Sequence, residues 1–261
     1  GRIYPNEQEK MKALSKFTTR IEAKVAFCAM AAVFCFSLND ALIKFLSGNY
    51  ALHQIVLVRS FVGILILFII FIPLSGTFAI LKTQRLGMHL LRGLAVVFAN
   101  LTFFLGLAEL PLAVATSIFF ISPLLITIFS IVFLKEYVGV YRWGSIIVGL
   151  LGILIILRPG TEAFKLASLL PIAAAFGYAT LHIVTRYIGK TESALTMSFY
   201  IQVTFILICS LFWLLLGDGR FAYAQSPALD FLFRKWGALP ENDWPLFLLL
   251  GACSAFGGFL I

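Results

Sequence analysis

AAVFCFSLNDALIKFLS, residues 31–47, sets Asn39, Asp40 and Lys44 inside an apolar run long enough to cross a bilayer. A charge at that depth costs a few kcal/mol and faces a partner or a watery cavity rather than lipid. The stretch recurs. Residues 173–189, AAAFGYATLHIVTRYIG, repeat it from residue 31 to residue 173, a shift of 142. Ala31/Ala173, Ala32/Ala174 and Phe34/Phe176 are identical, and Phe36/Tyr178, Lys44/Arg186, Phe45/Tyr187 and Leu46/Ile188 are conservative.

The rest of the chain is of the same kind. It is 61% hydrophobic and only 12% charged, with a mean hydropathy of +1.00. A water-soluble globule of this size cannot hide that much apolar surface. Apolar runs fall at 25–47, 52–74, 88–108, 110–134, 141–157, 166–188 and 194–216, and an eighth begins near Trp244. The expected class is an all-α polytopic membrane protein. The chain begins with Gly1 and stops at Ile261 inside the eighth run, which reads as a truncation there.

Basic residues set the orientation. Arg2, Lys10, Lys12, Lys16, Arg20 and Lys24 precede the first run, so the net charge of +8 reflects a cytoplasmic tail rather than a nucleic-acid partner. Lys82, Arg85, Lys135, Arg142 and Lys190 then fall on inward loops, while the outward turns at Gly48 and Glu109 carry no Lys or Arg. The outward connection 158–165 carries two basic residues against the rule. Met11, Leu14, Phe17, Ile21 and Val25 have the spacing of an amphipathic surface helix, with a solvated tail as the other reading. The long outward loop 217–243 contains Leu229, Phe231, Leu232, Phe233 and Trp236, which fit a short surface helix or an irregular loop.

The shift of 142 carries the first span onto the sixth and the second onto the seventh. The third span echoes the eighth at a shift of 158, through Leu91/Leu249, Gly93/Gly251 and Phe98/Phe256. The repeating unit is therefore five spans. An odd unit enters the membrane from the opposite side the second time, which predicts a ten-helix inverted-repeat (5+5) transporter fold. The expected divisions are a tail at 1–24, a first repeat at 25–160 and an incomplete second repeat at 161–261.

Asp40 and Arg59 lie equally far from the turn at 48–51, each on the order of 12 Å below the outer surface at 1.5 Å per residue. They form a plausible ion pair, read either as a clasp between two spans or as a proton or substrate site. Lys44, one turn beyond Asp40, is expected to snorkel outward. In the second copy the Asp40 position holds His182, either a packing histidine or a group that titrates near neutrality. Asn39, Asn100, Tyr178 and Phe36 could line the same space. Arg92 is expected to anchor at the headgroups. Pro123 interrupts the fourth span and frees a backbone carbonyl, marking a packing kink or a binding-site break. Gly144, Ser145, Gly149 and Gly152 form a small-residue face suited to close helix packing. Cys28, Cys35, Cys209 and Cys253 stand singly in apolar segments as packing residues. No metalloprotease, serine-hydrolase or phosphate-loop motif is present, so no enzyme activity, cofactor or metal is expected.

Residues 107–160, LAELPLAVATSIFFISPLLITIFSIVFLKEYVGVYRWGSIIVGLLGILIILRPG, resemble the EamA family of the drug/metabolite transporter superfamily. The match lies in the Leu-Pro turn, mid-span Pro123, the Leu134-x-Glu136 ending and a Gly-spaced fifth span closing on Arg158-Pro159-Gly160. Lys44 and Arg59 match basic positions common in the family, while Lys135 stands where many members have Gly and the loop 217–243 is longer than usual. The resemblance implies alternating-access transport of a small polar or amphipathic metabolite through a central cavity in a bacterial inner membrane. NDALIKFLS followed by Arg59 is similar to members assigned to S-adenosylmethionine or riboflavin uptake, and other members export amino acids. A proton or substrate gradient is the expected energy source, and a homodimer stays open. The alternative is a membrane-embedded scaffold or sensor without transport.

Overall fold

The computed structural model describes residues 7–76, 78–158, 165–222 and 226–260, with the side chains of 7–22, 79, 80 and 157 outside that description. Tail residue Arg2 and the Pro159-Gly160 pair lie outside the described residues. Every regular element described is helical. Helix α1, Glu7–Leu46, carries the tail into the first span without a break at residue 24, because no Gly or Pro falls inside it. Its 40 residues extend about 60 Å, twice a bilayer core.

The second span is α2, Leu52–Ile66, a π-helical turn, Leu67–Phe71, and α3, Ile72–Ser75. Pro73 cannot donate to the turn before it, and the wider π turn absorbs that missing bond. Helix α4, Leu86–Glu109, is the third span. The fourth is broken where Pro123 predicts: α5, Leu112–Phe119, stops, and α6, Ser122–Leu134, begins afresh. Then come α7, Val140–Leu157; α8, Leu169–Ile188; α9, Ala194–Leu216, capped by the Ser193 hydroxyl on the Thr196 N–H; and α11, Trp244–Leu260. Between the last two, α10, Pro227–Phe233, resolves the long loop in favour of a short helix, with Ser226 as its cap and Pro227 in its first turn. Among the described residues seven segments are long and apolar enough to cross a membrane, and α7 is a shorter apolar helix. The protein is a multi-pass membrane protein.

Packing repeats under the exchange of first copy for second. Helix α4 packs on α8 as α11 packs on α1, α4 on α9 as α11 on α2, and α2 meets α9 at the centre. Individual contacts repeat too. A β-carbon on Gly177 would stand 3.1 Å from the Ala99 side chain. At the equivalent place, a β-carbon on Gly257 would stand 3.4 Å from the Cys35 side chain. Cys35 and Gly177 are related by the shift of 142, and Ala99 and Gly257 by that of 158, with the glycine moved to the other partner. These recurrences support two inverted copies.

The core runs between these helices, through Leu52, Ile55, Phe104, Phe205, Phe247 and Leu250. Two faces are open. Helix α6 covers Ala175 and Ala179 on α8 through Leu125, whereas their counterparts on α1, Val33 and Ser37, line a shallow apolar depression with Ala29, Met30 and Phe34. The small-residue face of α7 does not pack as expected: β-carbons on Gly144, Gly149 and Gly152 would meet nothing within 4 Å. Small residues permit a close approach but do not supply the partner.

Candidate functional site

Helix α1 turns two adjacent polar side chains to different surroundings. Asn39 is buried and Asp40, one step around the helix, is half-buried. Helix α2 brings Arg59 to the same level, with 2% of its surface exposed. The expected ion pair is not there. Among the described residues the arginine–carboxylate pairs are Arg186–Glu136, Arg220–Asp218 and Arg234–Asp230, and His89 Nε2 lies 3.3 Å from Glu192 Oε2. Asn39 stands between the two charges instead. Its amide nitrogen donates to Asp40 Oδ1 at 3.2 Å and its oxygen accepts from Arg59 Nη1 at 3.3 Å. Matching the depth of two residues does not match their rotation about two helices, and one amide fills the difference.

Asn100 on α4 completes the polar group. Its oxygen accepts from both Nη atoms of Arg59 at 3.5 Å, and its nitrogen donates to the Val96 carbonyl one turn back. Aromatic faces hold the rest of the cation: the guanidinium carbon lies 4.9 Å from the Phe205 ring centre and 5.9 Å from that of Phe104. Phe104 follows Asn100 by four residues, so the two share one face of α4. Arg59 Nε is buried with no acceptor.

The second copy contributes Tyr178 and His182, also four residues apart, with ring centres 4.4 Å apart and edge to face. Tyr178 packs on Phe119 at 5.2 Å, so the end of α5 at the Pro123 break adjoins this pair. Ring contacts link the two groups, from Phe104 to Phe103 at 5.9 Å, Phe103 to Phe119 at 5.0 Å and Phe119 to Tyr178. All six residues singled out from the sequence, Asn39, Asp40, Arg59, Asn100, Tyr178 and His182, thus fall into two adjoining clusters. Phe36 instead packs against Gly257. Phe104 and Phe205 were missed, since nothing distinguishes them in sequence from other span phenylalanines.

Both ends of the bundle are laced. At the end of the bundle that holds the turn at 48–51, Lys44 points away from Asp40 and, instead of running out to the surface, donates to the carbonyls of Leu107 and Leu110, capping the α4 C-terminus. Residues 226–243 of the long loop fold over this end. Arg234 donates to Ser47 O and pairs with Asp230, Tyr50 donates to Asp243, Gln54 exchanges two hydrogen bonds with Gly237, and Glu109 accepts from the Ala228 N–H. At the other end Arg92, expected to anchor at the headgroups, turns into the bundle instead. It is buried, donating from Nε to Thr185 Oγ1 at 2.6 Å and from Nη1 to Met197 O at 3.0 Å, and so joins α4 to α8 and α9. Thr83 and His89 meet Glu192 nearby.

The site offers a cation, an anion, two amides and aromatic faces, a set suited to an amphipathic solute carrying charge. Among the described residues no group of three His, Cys, Asp or Glu could hold a metal ion.

Comparison with known proteins identifies the family. The model of the EamA-like transporter family matches residues 23–158. An S-adenosylmethionine uptake transporter of Rickettsia prowazekii is 31% identical over 172 residues, 66% of this chain and 58% of the relative. A riboflavin transporter of Vibrio cholerae is 31% identical over 182 residues, 67% of this chain and 61% of the relative. A pseudopaline exporter of Pseudomonas aeruginosa is 26% identical over 231 residues, 88% of this chain and 74% of the relative. The matches to the first two span about three fifths of the relatives' own length.

Proposed function

The chain belongs to the EamA-like transporter family, and from that premise we propose that it is a secondary transporter moving a small metabolite across a bacterial inner membrane by alternating access. The moving parts are two inverted copies, 25–160 and 161–261, behind a cytoplasmic tail at 1–24. S-adenosylmethionine and riboflavin are the cargo candidates that the relatives' names suggest, and the family resemblance adds amino-acid-like compounds. A proton or substrate gradient drives the cycle, with Asp40 and His182 as the coupling groups.

One observation carries this reading. Arg59 and Asp40 stand at the centre of the bundle without neutralising each other, separated by Asn39. Unneutralised charge inside a membrane is costly and is kept where a cargo or ion must be met. Cap and lacing at the two ends suit a carrier that opens one end at a time around a central site.

Flux tests it. The protein is reconstituted in vesicles and assayed for uptake of the candidate compounds with and without a proton gradient. Gradient-stimulated flux that is lost in Asp40→Asn, with expression and thermal stability retained, is the expected result. Binding without flux under every gradient would identify the sensor alternative. Unimpaired flux in both Asp40→Asn and His182→Ala would remove these residues from the coupling role.

A further inference from the structure

His89 and Glu192 bring two titratable side chains together across the two copies, away from the central site. His89 lies one turn into α4 and is buried. Its Nε2 comes within 3.3 Å of Glu192 Oε2, in the link from α8 to α9, yet neither ring nitrogen makes a hydrogen bond. Glu192 accepts from the Thr83 hydroxyl at 2.8 Å, and with 11% of its side chain exposed it is reached by water at this end of the bundle. Tyr200 of α9 stacks on the imidazole with ring centres 4.7 Å apart and donates to the Leu81 carbonyl. The cations of this end are engaged elsewhere: Arg92 donates to Thr185 and Met197, Arg85 lies over the Tyr187 ring at 5.8 Å, and Lys82 and Lys190 are exposed.

The inverted repeat supplies the comparison. At the shift of 142 the counterpart of Glu192 is Tyr50, and at the shift of 158 that of His89 is Phe247. Tyr50 and Phe247 meet edge to face at the opposite end, with ring centres 5.4 Å apart. The same two positions therefore touch at both ends. At one end two rings that carry no charge near neutral pH make the contact. At the other its strength depends on a proton.

Resting on the transport reading above, we infer that His89 and Glu192 form a proton-dependent latch between the two copies, which holds the end of the bundle away from the turn at 48–51 closed when the imidazole is protonated and frees it when the proton leaves. With the proton bound, the ring is a cation against a carboxylate, the stronger kind of hydrogen-bonded contact. Without it, the carboxylate keeps the Thr83 hydroxyl. The proton is taken up from the water on that side, past Glu192, and returns there. On the transport reading this end faces the cytoplasm, so an acid cytoplasm holds the carrier shut there and an alkaline one lets it open. The end closed by Tyr50 and Phe247 does not respond over the same range.

Hydrogen exchange on the whole chain in lipid nanodiscs tests the latch at about pH 5.5 and about pH 8, on either side of the ordinary imidazole range. The reference is the double variant His89→Phe/Glu192→Tyr, which gives this end the pair found at the other. Dividing by its rates at the same pH removes the chemical pH dependence of exchange. On that scale segments 86–92 and 188–193 of the unaltered protein should exchange about tenfold more slowly at the lower pH than at the higher, the difference between a charged and a neutral hydrogen bond, while 47–54 stays level. His89→Gln should abolish the pH effect. If the double variant does not fold, His89→Gln becomes the reference and Glu192→Gln must also lose the effect. A ratio that does not change with pH, or a change that His89→Gln retains, overturns the latch. Counterflow of S-adenosylmethionine and riboflavin at equal pH on both sides separates the two readings. Flux without pH-dependent opening keeps transport and removes the latch, whereas pH-dependent opening without flux of either compound keeps the latch and counts against transport.

Discussion

Gly251 of α11 receives Val62 of α2 so closely that a β-carbon added to the glycine would stand 2.3 Å from Val62 Cγ1. The same approach occurs between α4 and α9, where a β-carbon on Gly93 would stand 2.3 Å from Thr204 Oγ1. Gly93 and Gly251 are related by the shift of 158, and Val62 and Thr204 by that of 142. Gly251→Ala and Gly93→Ala are each expected to lower stability by about 1–3 kcal/mol through overpacking. Thermal unfolding in detergent checks this. Val62→Ala removes Cγ1 but keeps the β-carbon, which would itself stand 2.4 Å from the one added at residue 251, so it should recover only part of the loss in Gly251→Ala and leave that in Gly93→Ala untouched.

The spans were legible in the sequence because hydropathy and length are properties of a single helix. Breaks were legible for the same reason, since Pro123 acts on its own backbone. Depth was legible as well, and it placed Asp40 and Arg59 at one level. Rotation and tertiary reach were not. Nothing local says that Asn39 rather than Asp40 faces Arg59, or that Arg92 extends into the bundle to Thr185 rather than out to the headgroups. Lys44 turns away from Asp40 as expected, but its ammonium ends on the Leu107 and Leu110 carbonyls of α4 rather than in water, a partner its own helix does not reveal. The docking of loop 217–243 was out of reach, since its hydrogen bonds are made with Ser47, Tyr50, Gln54 and Glu109, all more than a hundred residues away.

Thr185 supplies the Oγ1 that accepts from Arg92 Nε. Thr185→Val keeps the shape and removes the acceptor, leaving a buried cation one bond short. The expected cost is about 1–3 kcal/mol of stability. Thr185→Ser, which keeps the hydroxyl, should recover most of it. Denaturation midpoints of the two variants in one detergent make the comparison.

Tyr50, in the turn between the first two spans, donates to Asp243 and so pins the end of the outer loop. Burial, with the Asp243 carboxylate adding to it, pushes its hydroxyl from 10.0 up to about 12. The folded protein therefore holds this proton more tightly than the unfolded chain does. The stabilisation is complete below about pH 10 and is lost as the pH rises towards about 12. The loop should loosen across that window, read as faster proteolysis of 217–243 and a change in Trp236 fluorescence. Tyr50→Phe should show the loosened state already at neutral pH and lose this part of the pH dependence.

Lys135 ends α6 in the left-handed conformation, with φ 54° and ψ 34°, where an L side chain costs about 1–2 kcal/mol and glycine costs nothing. The conformation lets the chain turn back so that the Glu136 N–H reaches the Ser130 carbonyl at 3.3 Å. That turn also presents Glu136 to Arg186, whose Nη1 donates to the Ser130 hydroxyl at 2.8 Å. Lys135→Gly is therefore expected to raise stability by about 1 kcal/mol without disturbing the Arg186 contacts. Lys135→Val, whose branched side chain tolerates this region worst, should lower it. Opposite shifts in melting temperature would locate the strain in the backbone at residue 135. Equal shifts of one sign would assign the effect to the lost lysine charge instead.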